Sequence, residues 1–113
     1  MIYKFIILAT GHFIKQLKQV SKKYPGFTND IEKLKVSLLQ KPTQGTPLGK
    51  YCYKIRIKIT GKSAGKSGGA RVITFVKLSN FRIVLVDLYD KTDKDTISNK
   101  DLLALLKKEK FDV

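Results

Sequence analysis

Apolar positions along the chain follow two periods, and the switches between them mark the elements. Ile2 to Leu8 is rich in β-branched and aromatic residues, which predicts a first strand. Thr10 is placed to cap a helix. Phe13, Ile14, Leu17, Val20 and Tyr24 follow at helical spacing, and Lys15, Lys18, Lys22 and Lys23 fill the other side. Pro25-Gly26 breaks that helix. Thr28 or Asn29 is placed to cap a second one, which carries Ile31, Leu34, Leu38 and Leu39 and stops before Pro42. The pair reads as a helical hairpin with a basic outer surface.

Pro42 to Lys50 reads as a turn-rich loop, with Gly45, Pro47 and Gly49. From Tyr51 to Ile59 the period becomes two: Tyr53, Ile55, Ile57 and Ile59 point one way, and Lys54, Arg56 and Lys58 the other. Gly61 to Gly69 is a flexible loop. Ala70 to Lys77 is the next strand. Phe81 to Tyr89 follows, nearly continuous in apolar residues as a central strand should be. Asp90 to Ile97 is a polar connection. Ser98 then caps a last helix, with Asp101 as a weaker form of the capping box and Leu102, Leu103, Leu105 and Leu106 on its apolar side. The order β-α-α-β-β-β-α predicts a single α+β domain over residues 1–113. A small antiparallel sheet carries an N-terminal helical hairpin and a C-terminal helix, packed on one face.

Charge changes the picture. The 113 residues have a net charge of +14, and it is uneven. Residues 1–80 hold 16 Lys and Arg against two acids, Asp30 and Glu32, whereas residues 81–113 hold seven of each sign. Lys33 to Val86 contains 12 basic residues and no acid. Such a block points first to nucleic acid. An acidic protein or an anionic membrane surface is the lesser reading, and a merely soluble basic protein the plain one. No apolar run approaches about 18 residues, so no membrane-spanning helix is expected. Met1 to Leu8 imitates a signal peptide, but its run is short and no A-x-A site follows; it reads as a strand of a cytoplasmic protein. The lone Cys52 excludes an internal disulfide and a cysteine zinc site, and reads as a small buried hydrophobe.

Three constellations fail as chemistry. Gly61-Lys62-Ser63-Ala64-Gly65-Lys66-Ser67 imitates a P-loop, but only three residues separate Gly61 from Gly65-Lys66-Ser67, and a strand follows where a helix is required. A basic hairpin loop that grips phosphate, or a plain solvated loop, fits better. His12 has no sequence neighbour to serve as nucleophile or second acid–base group, and reads as a surface residue. Asp87, Asp90, Asp93, Asp95 and Asp101 lack the calcium-loop order, and the interleaved Lys91, Lys94 and Lys100 repel a cation.

The cationic strand face remains. Lys54, Arg56 and Lys58 share one side of a strand, and Arg71 follows a Gly68-Gly69 pair that permits close backbone approach. RNA cleavage needs the 2′-hydroxyl deprotonated, the charge on the phosphorane neutralised and the leaving oxygen protonated. An Arg fork engages two phosphate oxygens and stays charged. A Lys crowded by cations gives up its proton more readily. A nonenzymatic binding face is equally consistent with this composition.

Tyr51-Cys52-Tyr53-Lys54-Ile55-Arg56, Gly65-Lys66-Ser67-Gly68-Gly69-Ala70-Arg71-Val72-Ile73 and Leu88-Tyr89-Asp90-Lys91-Thr92-Asp93 together resemble the RelE/HigB toxins of the RelE/ParE superfamily of bacterial type II toxin–antitoxin systems. Tyr24-Pro25 and Gly45-Thr46-Pro47-Leu48-Gly49 match the same pattern. The resemblance covers essentially the whole chain. It implies a RelE-like fold and a ribosome-dependent endoribonuclease that cuts mRNA in the ribosomal A site, inhibits translation, and uses basic residues in place of a metal or other cofactor.

By position, Lys54 and Arg56 match the two basic residues of the family's Tyr-Lys-Ile-Lys strand. Arg71 matches the Arg expected to hold the scissile phosphate, and Lys91 and Lys94 fall in the basic segment before the last helix. Lys58, Lys62 and Lys66, with Lys15, Lys18 and Lys22 on the first helix, are the RNA-binding candidates. One departure stands out. The RelE pattern has a Tyr near the start of the last helix, where this chain reads Ile97-Ser98, so Lys54 is the first choice of general base. Thr92 also replaces an Arg of the basic segment. The implied partners are the ribosome, mRNA and an acidic antitoxin whose extended or amphipathic segment would cover the sheet or displace the final helix, all in the bacterial cytoplasm. Two alternatives stay open: a ParE-like toxin that poisons gyrase, and a nonenzymatic RNA-binding module.

Overall fold

The computed structural model describes residues 5–62, 69–92 and 97–108. Strand β1 (Ile6–Ala9) leads to helices α1 (Gly11–Lys23) and α2 (Phe27–Gln40). Strands β2 (Thr46–Gly49), β3 (Cys52–Ile57), β4 (Ala70–Lys77) and β5 (Arg82–Asp90) follow, and α3 (Asn99–Lys108) closes the chain. The strands form one sheet in the order β1-β5-β4-β3-β2.

The α+β class is as expected, with three differences of detail. The expected loop before β3 contains the short strand β2, with Pro47 on an edge where a missing N–H is harmless. The sheet is mixed, because β1 runs parallel to β5. The helices also cover both faces. Phe13, Phe27, Ile31, Leu34 and Leu38 of the hairpin pack on Ile55, Val72, Ile83, Leu85 and Leu88. Leu102 and Leu106 of α3 pack with Cys52, Ile73, Phe75, Val84 and Val86 on the opposite face. The physical reason lies in β4 and β5: both are apolar on alternate and intervening positions, so both faces require cover.

Local chemistry sets the ends of the helices. The Thr10 hydroxyl accepts from Phe13 N at 3.0 Å and donates to the Val86 carbonyl at 2.9 Å, so a single cap ties α1 to β5. Helix α2 starts at Phe27, ahead of both expected caps, and its N-cap Gly26 makes no side-chain cap bond. Asp30 in its first turn instead accepts from both the backbone N and the hydroxyl of Thr60, each at 2.7 Å, and holds α2 to the segment after β3. Ser98 Oγ accepts from Asp101 N at 3.1 Å, as its capping role requires. Ile14 and Leu39, expected in the core, are exposed. No helix among the described residues is long and apolar enough to cross a membrane.

Candidate nucleic-acid interface

The alternation of β3 places Tyr53, Ile55 and Ile57 on the hairpin face and sends Lys54 and Arg56 to the α3 face. Register then brings distant residues together. Arg56 lies directly opposite Arg71, and Arg71 directly opposite Tyr89, forming one row across β3, β4 and β5. Lys54 is opposite Ile73 in the next same-face row. Like charges directly opposite one another destabilise a sheet. The register nonetheless brings two arginines to neighbouring positions on one face of the sheet.

The cations differ in access. Arg56 is exposed and Lys54 half-buried, whereas Arg71 is 3% exposed, with Nη1 donating to the Ala70 carbonyl at 3.2 Å. Gly69 just before it has φ +93°, and a Cβ there would collide with the carbonyl oxygen of Ile57. The close approach expected of Gly68-Gly69 is thus, at Gly69, to strand β3. Gly68 lies outside the described residues.

Other candidates fall elsewhere. Lys58 is past the end of β3 and, with Arg56 and Lys33, lines a hollow beside α2. Lys62, expected as a loop cation for RNA, instead forms an ion pair with Asp90 at 2.6 Å, with side-chain exposures of 16% and 15%. Its charge is used to pin the loop to β5. Burial pushes the Asp90 carboxyl up, but hydrogen bonds from Lys62 and Thr92 and the Lys62 charge outweigh this and hold it below its ordinary value. Lys91 is half-buried, and its backbone N donates to the Gly69 carbonyl at 3.0 Å. Lys66 and Lys94 lie outside the described residues. Lys15, Lys18 and Lys22 are exposed on α1, across the sheet from Lys54 and Arg71. The cations therefore form two surfaces.

Sequence reasoning missed the pairing of His12 with Asp87. His12 Nε2 is 2.8 Å from Asp87 Oδ1, which also accepts from Leu88 N at 2.8 Å. A register shift between Ile73 and Thr74 lets Asp87 leave the regular alternation of β5 and meet the start of α1. Nothing at a separation of 75 residues signals this. Cys52 is buried, which pushes its thiol up to about 12 and leaves it unreactive. No group of three or more His, Cys, Asp or Glu among the described residues is placed to hold a metal ion.

A family model described as the RelE toxin of the RelE/RelB toxin–antitoxin system matches residues 32–111. The chain belongs to the RelE toxin family. A solved structure of an E. coli toxin RelE mutant in which two arginines are replaced by alanine, in the free state, has the same fold. Its TM-score is 0.62 at 13% identity, covering 94% of this chain and 98% of that one. Comparison with curated protein sequences returns no match. In this chain Ile97 and Ser98 precede α3 with no Tyr beside them in sequence, while Tyr89 of β5 shares the row of Arg71 and Arg56.

Proposed function

We propose that this toxin is an endoribonuclease that cuts mRNA on the ribosome. The observation that carries the reading is the register of β3 and β4, which sets Arg56 against Arg71 with Lys54 one same-face step away. In this reading Arg71 holds the scissile phosphate and Arg56 neutralises the charge that builds on the phosphorane. Lys54 takes the proton of the 2′-hydroxyl, whose oxygen attacks the adjacent phosphorus as the bond to the 5′-oxygen breaks. That leaving oxygen takes a proton from solvent water, Lys54 returns its own to solvent, and a 2′,3′-cyclic phosphate is left. Lys91 and Lys94 supply further positive charge before α3. Lys58 contacts the flanking backbone, and Lys15, Lys18 and Lys22 dock the opposite surface on ribosomal RNA.

The burial of Arg71 requires that its cover move before a phosphate reaches the guanidinium. The same observation favours one second reading, a nonenzymatic RNA-binding module. The net charge of +14 calls for an acidic antitoxin as protein partner, and translating ribosomes place the activity in the bacterial cytoplasm. Induced expression with mapping of mRNA ends tests the proposal. New ends at codons inside translated frames are expected. Unchanged ends together with salt-sensitive RNA binding would select the second reading.

A further inference from the structure

Lys50 and Tyr51 form the two-residue turn between β2 and β3, and both have left-handed backbone, with φ of +56° and +64°. A hairpin of this length asks for positive φ at both positions, which suits Asn, Asp and Gly. A Lys and a Tyr hold it here against their steric preference. Backbone held this way points to a use for the side chain.

Tyr51 is 50% exposed, yet its ring is braced. It meets Phe75 edge-on, with centroids 5.9 Å apart and planes at 70°. Lys77 Nζ lies 5.3 Å from the Tyr51 centroid. The Tyr51 carbonyl accepts from Val76 N at 2.8 Å. The ring borders a hollow of about 270 Å³ completed by Tyr53, Val76, Lys77, Leu78 and Ser79, with no acid in its lining.

We propose that this hollow receives one unstacked base of single-stranded RNA, with Tyr51 as the stacking surface and Lys77 beside the neighbouring phosphate. The inference rests on the RNA-cleaving reading and deepens it by naming where the strand continues beyond the cut. An aromatic face accepts any base, and a cation beside it meets the backbone. Tyr51 precedes Lys54 by three residues, roughly 10 Å along the strand, and sits at the hairpin end, where Phe75 of the α3 face meets Tyr53 and Val76 of the opposite face. The surroundings fit a polyanion, since no acid occurs from Lys33 to Val86.

The test is fluorescence anisotropy of the full chain with a single-stranded RNA oligonucleotide and with a duplex of the same sequence. Tyr51→Ala should weaken single-strand binding by about tenfold and leave duplex binding unchanged, while Tyr51→Phe retains both. Tyr51→Gly relieves the left-handed strain while removing the same ring, so it should be more stable than Tyr51→Ala yet lose single-strand affinity equally; this separates stacking from folding. Wild-type single-strand affinity in Tyr51→Ala and Tyr51→Gly, with Arg56→Ala weakened, would overturn the inference and leave the RNA reading standing. So would unchanged RNA binding with weakened capture of the antitoxin, which would give the hollow to a protein side chain. Absence of single-strand binding by the wild type would overturn the inference, while the ribosome-dependent cleavage reading stands or falls on the mapped mRNA ends.

Discussion

Arg56 and Arg71 stand directly opposite one another on adjacent antiparallel strands, one exposed and one buried. Their different access should separate the two residues by their variants. Arg71→Ala should abolish toxicity and lower any cleavage rate by about 100-fold or more, because in the proposed mechanism it removes the guanidinium that holds the scissile phosphate. The fold should remain intact by circular dichroism. Arg71→Lys keeps the charge but loses the fork, and should fall near the Ala variant. A folded, fully toxic Arg71→Ala protein would remove Arg71 from the chemistry.

The Lys62–Asp90 pair should appear in the pH dependence of stability. The Asp90 carboxyl is held below its ordinary 3.8 in the folded chain, so the folded state binds its proton less readily than the unfolded state does. Its contribution is fully present above 3.8 and is lost as pH falls through the lower folded value. Lys62→Met should therefore reduce stability at neutral pH, and the gap to wild type should narrow as acid is added below 3.8. Urea midpoints across that range check it. A gap that stays constant into strong acid would assign the loss to packing of the lysine stem.

His12 and Asp87 should act as a structural joint. Asp87→Ala removes the acceptor of both the imidazole and Leu88 N, and an unpaired buried donor costs about 1–3 kcal/mol. His12→Ala removes only the more exposed partner and should cost less. Chemical denaturation of the two variants and the double variant gives the coupling directly. Equal losses in both single variants would contradict the ranking.

The elements that a local period can report were legible in the sequence. Phe13, Ile31, Leu34 and Leu38 are in the core as helical spacing requires, and the period of two on β3 put Lys54 and Arg56 on one face. The rest depends on long-range pairing. Strand β2 holds Pro47, which masks a strand only four residues long, and no local feature announces that β1 pairs parallel to β5. Leu102 and Leu106 show that α3 has a buried side but not which sheet face it meets. Asp87 escaped notice because one irregularity in register re-aimed it, and Lys62 because its acid lies 28 residues away. The facing of Arg56 and Arg71 follows from strand register, while the burial of Arg71 comes from tertiary packing that no spacing records.

Gly69 joins the loop to the site, and it should tolerate no side chain. Its φ of +93° is a backbone region that L-residues rarely adopt, and the space for a Cβ is filled by the Ile57 carbonyl oxygen. The same glycine accepts from Lys91 N at 3.0 Å, so it holds the start of β4 against both β3 and the segment after β5. Gly69→Ala should cost about 1–3 kcal/mol from backbone strain, together with displacement of the β3–β4 pairing at Ile57 and Ala70. Arg71 is two residues on, so activity should fall further than the stability loss explains. The comparison that decides this is cleavage measured well below the variant's melting temperature. A folded Gly69→Ala protein with wild-type cleavage would show that the position of Arg71 does not depend on this contact.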